Sequence, residues 1–329
     1  MKAVYLRLLL LLLVVASCEK EAIIEFSSER TFGIRHDRQL SEYEDIANVL
    51  NPELPNFASV ISFSYSLDGS QNVEYIATGT LIDEEWILTA GHNFYDKEDQ
   101  NAPAPTSGIS IKIGNDPNKP VRIIKVSALV FHPTWLAGAQ DYKDANDLCL
   151  VKLASPITDI QPAVLHHSGE EALGSKIWFA GFGDYSGTEG QDPDLDSKKH
   201  AMENILDRIR MDLQTATGGK NYPGGLLAFD FDHPEGTINS LGDGIINEDE
   251  KILGVGTSDP MALAFEGSTV EGDSGGPLFV FHNGQWELAG VLSGGADNPI
   301  DGFEDSSYGD ISIFTRVADA YEWIASVIP

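Results

Sequence analysis

The chain has 329 residues, 42% of them hydrophobic, which is enough for one large domain or two small ones with well-buried cores. Its 51 acidic side chains against 21 basic ones leave a formal net charge of −30 at pH 7. A field of that sign repels phosphate backbones and anionic membrane surfaces, so no nucleic-acid partner is expected. The opening "MKAVYLRLLLLLLVVASC" sets Lys2 and Arg7 before an apolar run from Leu8 to Ala16. That run is too short to span a bilayer as a mature helix and fits a secretory signal over residues 1–17.

The run closes on "VASC", which resembles the lipobox of bacterial lipoproteins. The resemblance implies that Cys18 is lipidated and that the chain is exported. It would then be held by its lipid to a bacterial membrane, on the periplasmic side or the cell surface, with no other membrane contact. An ordinary signal peptide that happens to end near a cysteine is the alternative. Cys149 is the other cysteine; it sits in the apolar stretch "DLCLVKL", where a free thiol serves as a small buried hydrophobe. Without an internal disulfide the fold must rest on core burial, or on a bound ion.

Residues 18–33 are charged and aperiodic, as a tether would be. From there on the pattern is mostly β. Short runs rich in Val, Ile, Thr and aromatics follow one another: "ASVISFSYS", "YIATGTLI", "WILTAGH", "ISIKIG", "VRIIKVSALVFH", "DLCLVKLA" and "SKIWFAGFG". Residues 187–260 interrupt them with an acidic, Gly-rich insert that contains one helical candidate, "SKKHAMENILDRIRM". The β pattern resumes with "GPLFVFH", "WELAGVLSGG" and "SIFTRV", and a helix is expected over about 316–328 from the spacing of Val317, Tyr321, Ile324 and Ile328. Many short strands favour barrels or sandwiches over βαβ units.

Three places carry chemistry. His92 ends a strand in "WILTAGHN", Asp147 begins one in "NDLCLVKL", and Ser274 sits in "GDSGGP". A serine hydroxyl is a poor nucleophile at neutral pH. It needs an imidazole to take its proton and a carboxylate to hold that imidazole in the right tautomer. Glycines around Ser274 let backbone N–H groups face a developing oxyanion.

These motifs, in the order His, Asp, Ser, resemble the trypsin and chymotrypsin family of serine endopeptidases, and "FHPTW", "FAGFG", "VLSGG" and "IFTRVADAYEWI" echo the same family. The resemblance covers residues 34–329. It implies an all-β fold of two six-stranded antiparallel barrels, one over about 55–165 and one over about 166–315. It also implies a catalytic triad of His92, Asp147 and Ser274, an oxyanion hole from the N–H groups of Gly272 and Ser274, and an acyl-enzyme mechanism. The specificity pocket would have Ser268 at its base, Thr269 beside it, Ser293 to Gly295 as one wall and Ser312 on the far side. No acidic residue falls at that base, so an uncharged apolar side chain of medium to large size is the expected preference. Asp273 matches the aspartate that in this family pairs with a freed N-terminal ammonium. The "IVGG"-like activation sequence is missing, however. A cut near "RTFGIRHD" would expose Thr31 or Ile34, and a structure that needs no cut is equally open.

The expected partner is a protein or peptide substrate, met by a monomer that requires no cofactor. A non-catalytic binding protein on the same fold, or a small-substrate esterase, is the alternative. In the insert, Asn239, Asp243, Asn247 and Glu250 around Gly244 resemble an EF-hand-type calcium loop, with Leu241 standing where a ligand belongs. A structural calcium ion and a simple acidic loop are both open there.

Overall fold

A computed structural model describes residues 31–70, 75–96, 102–138, 140–141, 145–185, 198–244, 250–296 and 306–328. Its first half is a closed antiparallel barrel of β1 (Val60–Tyr65), β2 (Tyr75–Asp83), β3 (Trp86–Thr89), β4 (Ile109–Ile113), β5 (Arg122–Phe131) and β6 (Cys149–Leu153), in the ring order β1-β2-β3-β6-β5-β4. Alternation builds it. In β4, Ile109, Ile111 and Ile113 point inward while Ser110 and Lys112 are half-buried. Every residue of β1 is buried, because its inward face carries Ile61, Phe63 and Tyr65 while its outer face, beginning with Val60, meets the second half. Phe94 closes the barrel, edge-on to Phe63 and Tyr65 at centroid distances of 5.3 and 5.2 Å. Cys149 is buried in this core, as a small hydrophobe is expected to be.

The second half is an eight-stranded sheet. Its strands are β7 (Val164–Leu165), β8 (Lys176–Gly181), β9 (His200–Ile205), β10 (Arg208–Thr217), β11 (Lys220–Asp230), β12 (Pro277–His282), β13 (Gln285–Ala296) and β14 (Ile311–Arg316). They run in the order β10-β11-β14-β13-β12-β8-β9, with the short β7 alongside β13. Six strands are expected here, and the difference lies in the insert. The helical candidate "SKKHAMENILDRIRM" is instead β9 and the start of β10, because pairing with β8 and β11 outweighs its local helix propensity. Residues 200–230 are therefore sheet, not an appended acidic loop.

Between the halves, Phe57, Leu88 and Leu150 pack in one cluster with Trp178, Phe279 and Ile324. Helix α4 (Val317–Val327) docks on β11 and β13, within one residue of its expected start. Two short helices are α2 (Pro133–Ala137) and α3 (Glu250–Leu253). A further helix, α1 (Leu40–Asn48), has no counterpart in the sequence expectations; it buries Tyr43 and Ala47 and lies on β9.

Four carboxyl side chains are buried near one end of the second sheet: Asp207, Asp230, Asp232 and Glu266. Glu266 accepts the N–H groups of Asp232 and Leu263 at 2.8 and 2.6 Å. Burial, against those two hydrogen bonds, still pushes its pKa up to about 8. Burial and mutual repulsion raise Asp207 and Asp232 as well. Groups that hold protons in the fold and release them on unfolding favour the unfolded state as pH rises. Urea unfolding should therefore show stability falling from about pH 4 to pH 8 for Asp207 and Glu266, and on to about pH 10 for Asp232, by up to about 1.4 kcal/mol per pH unit for each carboxyl. Asp232→Asn should flatten the fall above pH 8 in particular, and an unchanged slope in that variant would exclude Asp232 as a source.

Candidate active site

His92 follows β3, and Asp147 precedes β6, the strand that pairs with β3, so the ladder Trp86–Thr89 against Cys149–Lys152 brings the two together. Asp147 is buried. Its Oδ2 accepts the His92 Nδ1–H at 2.6 Å and its Oδ1 accepts the His92 backbone N–H at 2.9 Å. The Ser293 hydroxyl donates to the same Oδ2 at 2.7 Å. With Nδ1 committed as donor, Nε2 is left as the basic nitrogen of a neutral ring. Burial works against protonation of His92, but the Asp147 charge and hydrogen bond outweigh it, and the pKa is raised above the ordinary imidazole value.

The loop before β12 carries Ser274 from the second half to the first. Its carbonyl accepts the Thr78 N–H and the Asn93 Nδ2–H, each at 3.0 Å, which clamps the loop to β2 and to the residue after His92. Gly275 has φ +83, and a Cβ there would collide with Thr89 Oγ1 and the Thr78 carbonyl. Gly272 has φ +97. Both glycines are thus required by the backbone whatever the loop does.

Asp273 is buried behind this loop and accepts three hydrogen bonds: from the Tyr185 hydroxyl, from Gly183 N–H at 2.9 Å and from Val270 N–H at 3.0 Å. Burial is the largest influence on its pKa, and despite these donors it is pushed up to about 7. Residues 31–34 lie close by in an uncut chain. Ile34 is buried and bridges Gly267, and the Gly33 carbonyl accepts the Ser268 N–H at 2.9 Å. A Cβ on Gly33 would meet Val270 and Tyr185 at 2.5 and 2.6 Å. The described end of the supposed tether, residues 31–33, is therefore ordered against the pocket.

A cavity of about 310 Å³ opens beside Ser274. Ser268, Thr269 and Gly295 line it; Ser293 and Ser312 do not. Ser293 is turned to Asp147, and Ser312 lies behind the wall, where its hydroxyl pairs with Thr269 Oγ1 at 3.0 Å and accepts the Thr269 N–H at 3.2 Å. Two acids absent from the sequence expectation, Glu271 and Asp310, also line the cavity. Asp310 Oδ2 accepts the Ser307 N–H at 2.8 Å. Asn93 adjoins the histidine motif and could have been suspected. Tyr185 and Asp310 had no local signal, because long-range packing alone brings them to the site.

The supposed calcium loop is only partly described. Cys18 and Asn247 lie outside the described residues. Leu241 is a buried core residue; its N–H donates to Asp230 Oδ2 at 2.7 Å and its carbonyl accepts from Arg208. Asn239 Nδ2 donates to the Ser258 carbonyl at 3.3 Å, Gly244 has φ +79, Asp243 is exposed and Glu250 is buried at the start of α3. Protein groups thus brace this loop through Leu241.

A trypsin family model matches residues 56–214 and 245–324. The first stretch runs from the entry of the barrel to β10, and the second reaches into α4; the unmatched stretch takes in β11 and the Leu241 loop. Matched over most of its length and built as a closed antiparallel barrel beside a second large sheet, the chain belongs to the trypsin family, with the fold of a trypsin-like serine protease.

Proposed function

We propose that the protein is a serine endopeptidase whose nucleophile is Ser274, with His92 as base and then acid and Asp147 as its orienting carboxylate. The observation that carries this is the triply bonded Asp147: one carboxylate holds His92 at two points and is itself steadied by Ser293. In the acylation step Ser274 Oγ bonds to the scissile carbonyl carbon as its proton passes to His92 Nε2. His92 then gives that proton to the leaving amine as the C–N bond breaks. Water repeats the sequence on the ester, returning Ser274 and releasing the acid. The N–H groups of Gly272 and Ser274 are the proposed donors to the oxyanion. No step uses a metal or cofactor. Reaction of Ser274 with a phosphonate probe separates this enzyme from a non-catalytic binding protein, and turnover of a folded protein substrate separates it from a small-substrate esterase.

For the residue before the cut, we propose an uncharged apolar side chain, since Val270, Leu292, Ala296 and Ile311 supply apolar wall around the hydroxyls of Ser268 and Thr269. A basic side chain is the second reading, favoured by Asp310 and Glu271 in the lining. A peptide-library digest mapped by mass spectrometry decides between them. On the first reading cuts follow uncharged residues and Asp310→Asn leaves the pattern alone. Cuts after Arg or Lys that Asp310→Asn lowers by tenfold or more would establish the second.

Export and anchoring through Cys18 also stand as a proposal, supported by "VASC" and by a body too acidic to bind anionic membranes. Cys18→Ala should move the protein from the detergent phase to the aqueous phase on partitioning. Retention in detergent would point to another anchor.

A further inference from the structure

At the end of the β12–β13 hairpin remote from Ser274, three side chains that the proposed reaction does not use converge: His166, His282 and Glu287. One ligand atom from each lies within 4.8 Å of the other two. His166 follows β7 on the linker between the halves, His282 ends β12, and Glu287 stands near the start of β13. Strand pairing sets their positions. Glu287 opposes Val164, and the His166 N–H donates to the Leu288 carbonyl at 2.9 Å.

Both imidazoles turn Nδ1 to the same carboxylate oxygen. Glu287 Oε2 is 2.8 Å from His166 Nδ1 and 3.1 Å from His282 Nδ1, with the two rings perpendicular at 5.0 Å. The other carboxylate oxygen, Oε1, accepts Gln285 Nε2–H at 2.9 Å, which fixes the side chain. The far nitrogens also face acids. His166 Nε2 lies 3.7 Å from Glu171 Oε1 and 3.4 Å from the Ser168 hydroxyl, while His282 Nε2 lies 3.4 Å from Glu170 Oε2. Glu171 is itself gripped by Arg316, whose Nε and Nη2 reach its two oxygens at 2.9 and 2.6 Å.

Each imidazole thus sits between two carboxylates. A neutral ring carries one N–H and one lone pair. With both Nδ1–H groups given to Glu287, the Nε2 lone pairs face Glu171 and Glu170, and among the described residues only the Ser168 hydroxyl at 3.4 Å and Asn283 Nδ2 at 3.2 Å offset that repulsion. A divalent cation between the two Nδ1 atoms and Glu287 Oε2 removes the conflict. The Nδ1 lone pairs then bind metal, and the Nε2–H groups donate outward to Glu170, Glu171 and Ser168. Carboxylate–histidine–metal relays of this kind orient and strengthen metal-bound imidazoles. Tetrahedral zinc, with ligand bonds of about 2.0–2.2 Å, needs donors roughly 3.4 Å apart, and the separations of 2.8 and 3.1 Å from Glu287 Oε2 need only a small expansion.

We propose that His166, His282 and Glu287 form a zinc site that clamps the linker between the two halves onto the second sheet. Two imidazoles and a carboxylate suit zinc better than calcium or magnesium, which prefer all-oxygen shells. His282 is 16% exposed and Glu170 75%, so the ion has a way in and a fourth position open to water.

The test is zinc titration of the purified full chain, first stripped with chelator, read by calorimetry and by melting. One zinc ion per chain should bind and raise the melting temperature in proportion to the logarithm of its free concentration. Cobalt in its place should give the visible absorption of a four-coordinate ion. His282→Ala, at the half-buried end of a hairpin, should weaken binding at least 100-fold, with peptide hydrolysis unchanged. Glu287→Gln should weaken it as well. His92→Ala should bind zinc as the parent chain does, which distinguishes this site from the catalytic imidazole. Absence of stoichiometric zinc, or equal affinity in His282→Ala, Glu287→Gln and the parent, would overturn the proposal and leave two histidines hydrogen-bonded to one carboxylate.

Discussion

Ser274→Ala is expected to lower peptide hydrolysis by roughly four to six powers of ten while its melting curve stays within a few degrees of the parent, since in the proposed mechanism the hydroxyl is the attacking group. His92→Ala should cost a similar factor. The double variant should be hardly worse than either, because a nucleophile without its base and a base without its nucleophile fail at the same step. Asp147→Asn is more informative. Asp147 holds His92 at two atoms and accepts from Ser293, so the amide keeps much of the shape but presents an N–H where the ring needs an acceptor. A loss of about ten-thousandfold should follow from the wrong tautomer. The pH profile gives a second readout. His92 must be neutral to act as base, and Asp147 raises its pKa, so the acid limb of kcat/KM should lie above the ordinary imidazole value in the parent and move down in Asp147→Asn. Near-parental turnover by Ser274→Ala would end the assignment.

Tyr185→Phe carries the second large expectation. The hydroxyl of Tyr185 is held by burial far above the range in which it could ionise, so it stays a donor to Asp273 at any working pH. Taking it away leaves buried Asp273 with two backbone N–H groups in place of three donors, at a cost of about 1–3 kcal/mol for a buried acceptor left one partner short. Asp273 adjoins Ser274, so the loss should reach the nucleophile loop and lower kcat roughly 10- to 100-fold. The companion expectation is that the parent hydrolyses substrate without a lag and with residues 31–34 uncut, because Tyr185 already satisfies Asp273 and Ile34 is already packed against Gly267. N-terminal sequencing of the active protein checks this. Activity that arises only after a cut between Glu29 and Arg35 would mean that a new ammonium, not the phenol, completes the site.

Local motifs were the legible part of the sequence. "LTAGH", "DLCLVKL" and "GDSGGP" are short because backbone geometry at a strand end or a tight turn is set within a few residues, and the alternating strands of the first barrel can be read in the same way. What could not be read depends on pairing across long separations. Residues 197–211 look helical by composition, yet β8 and β11 decide their state from 20 or so residues away. Ser293 and Gly295, two apart, would share a face of a regular strand, but the register of β13 on β14 shifts between Leu292 and Gly294, and Ser293 supports Asp147 while Gly295 lines the cavity. Asp310 enters that cavity, and Tyr185 reaches Asp273 across 88 positions, neither with any local mark.

Because the halves of the cleft are far apart in the chain, its completion comes late in synthesis. The first barrel is finished at Leu153, and Asp147, which holds His92 at two atoms, is present by then, whereas Ser293, which steadies Asp147, is not. Ser274 follows more than a hundred residues later, and β13 and β14, which back its loop, are later still. A chain emerging from its N-terminus can fold the barrel as a unit while the nucleophile does not yet exist. On the proposed mechanism a nascent chain therefore carries no complete site, and recovered hydrolysis in a refolding experiment would report the docking of the two halves, not the folding of either.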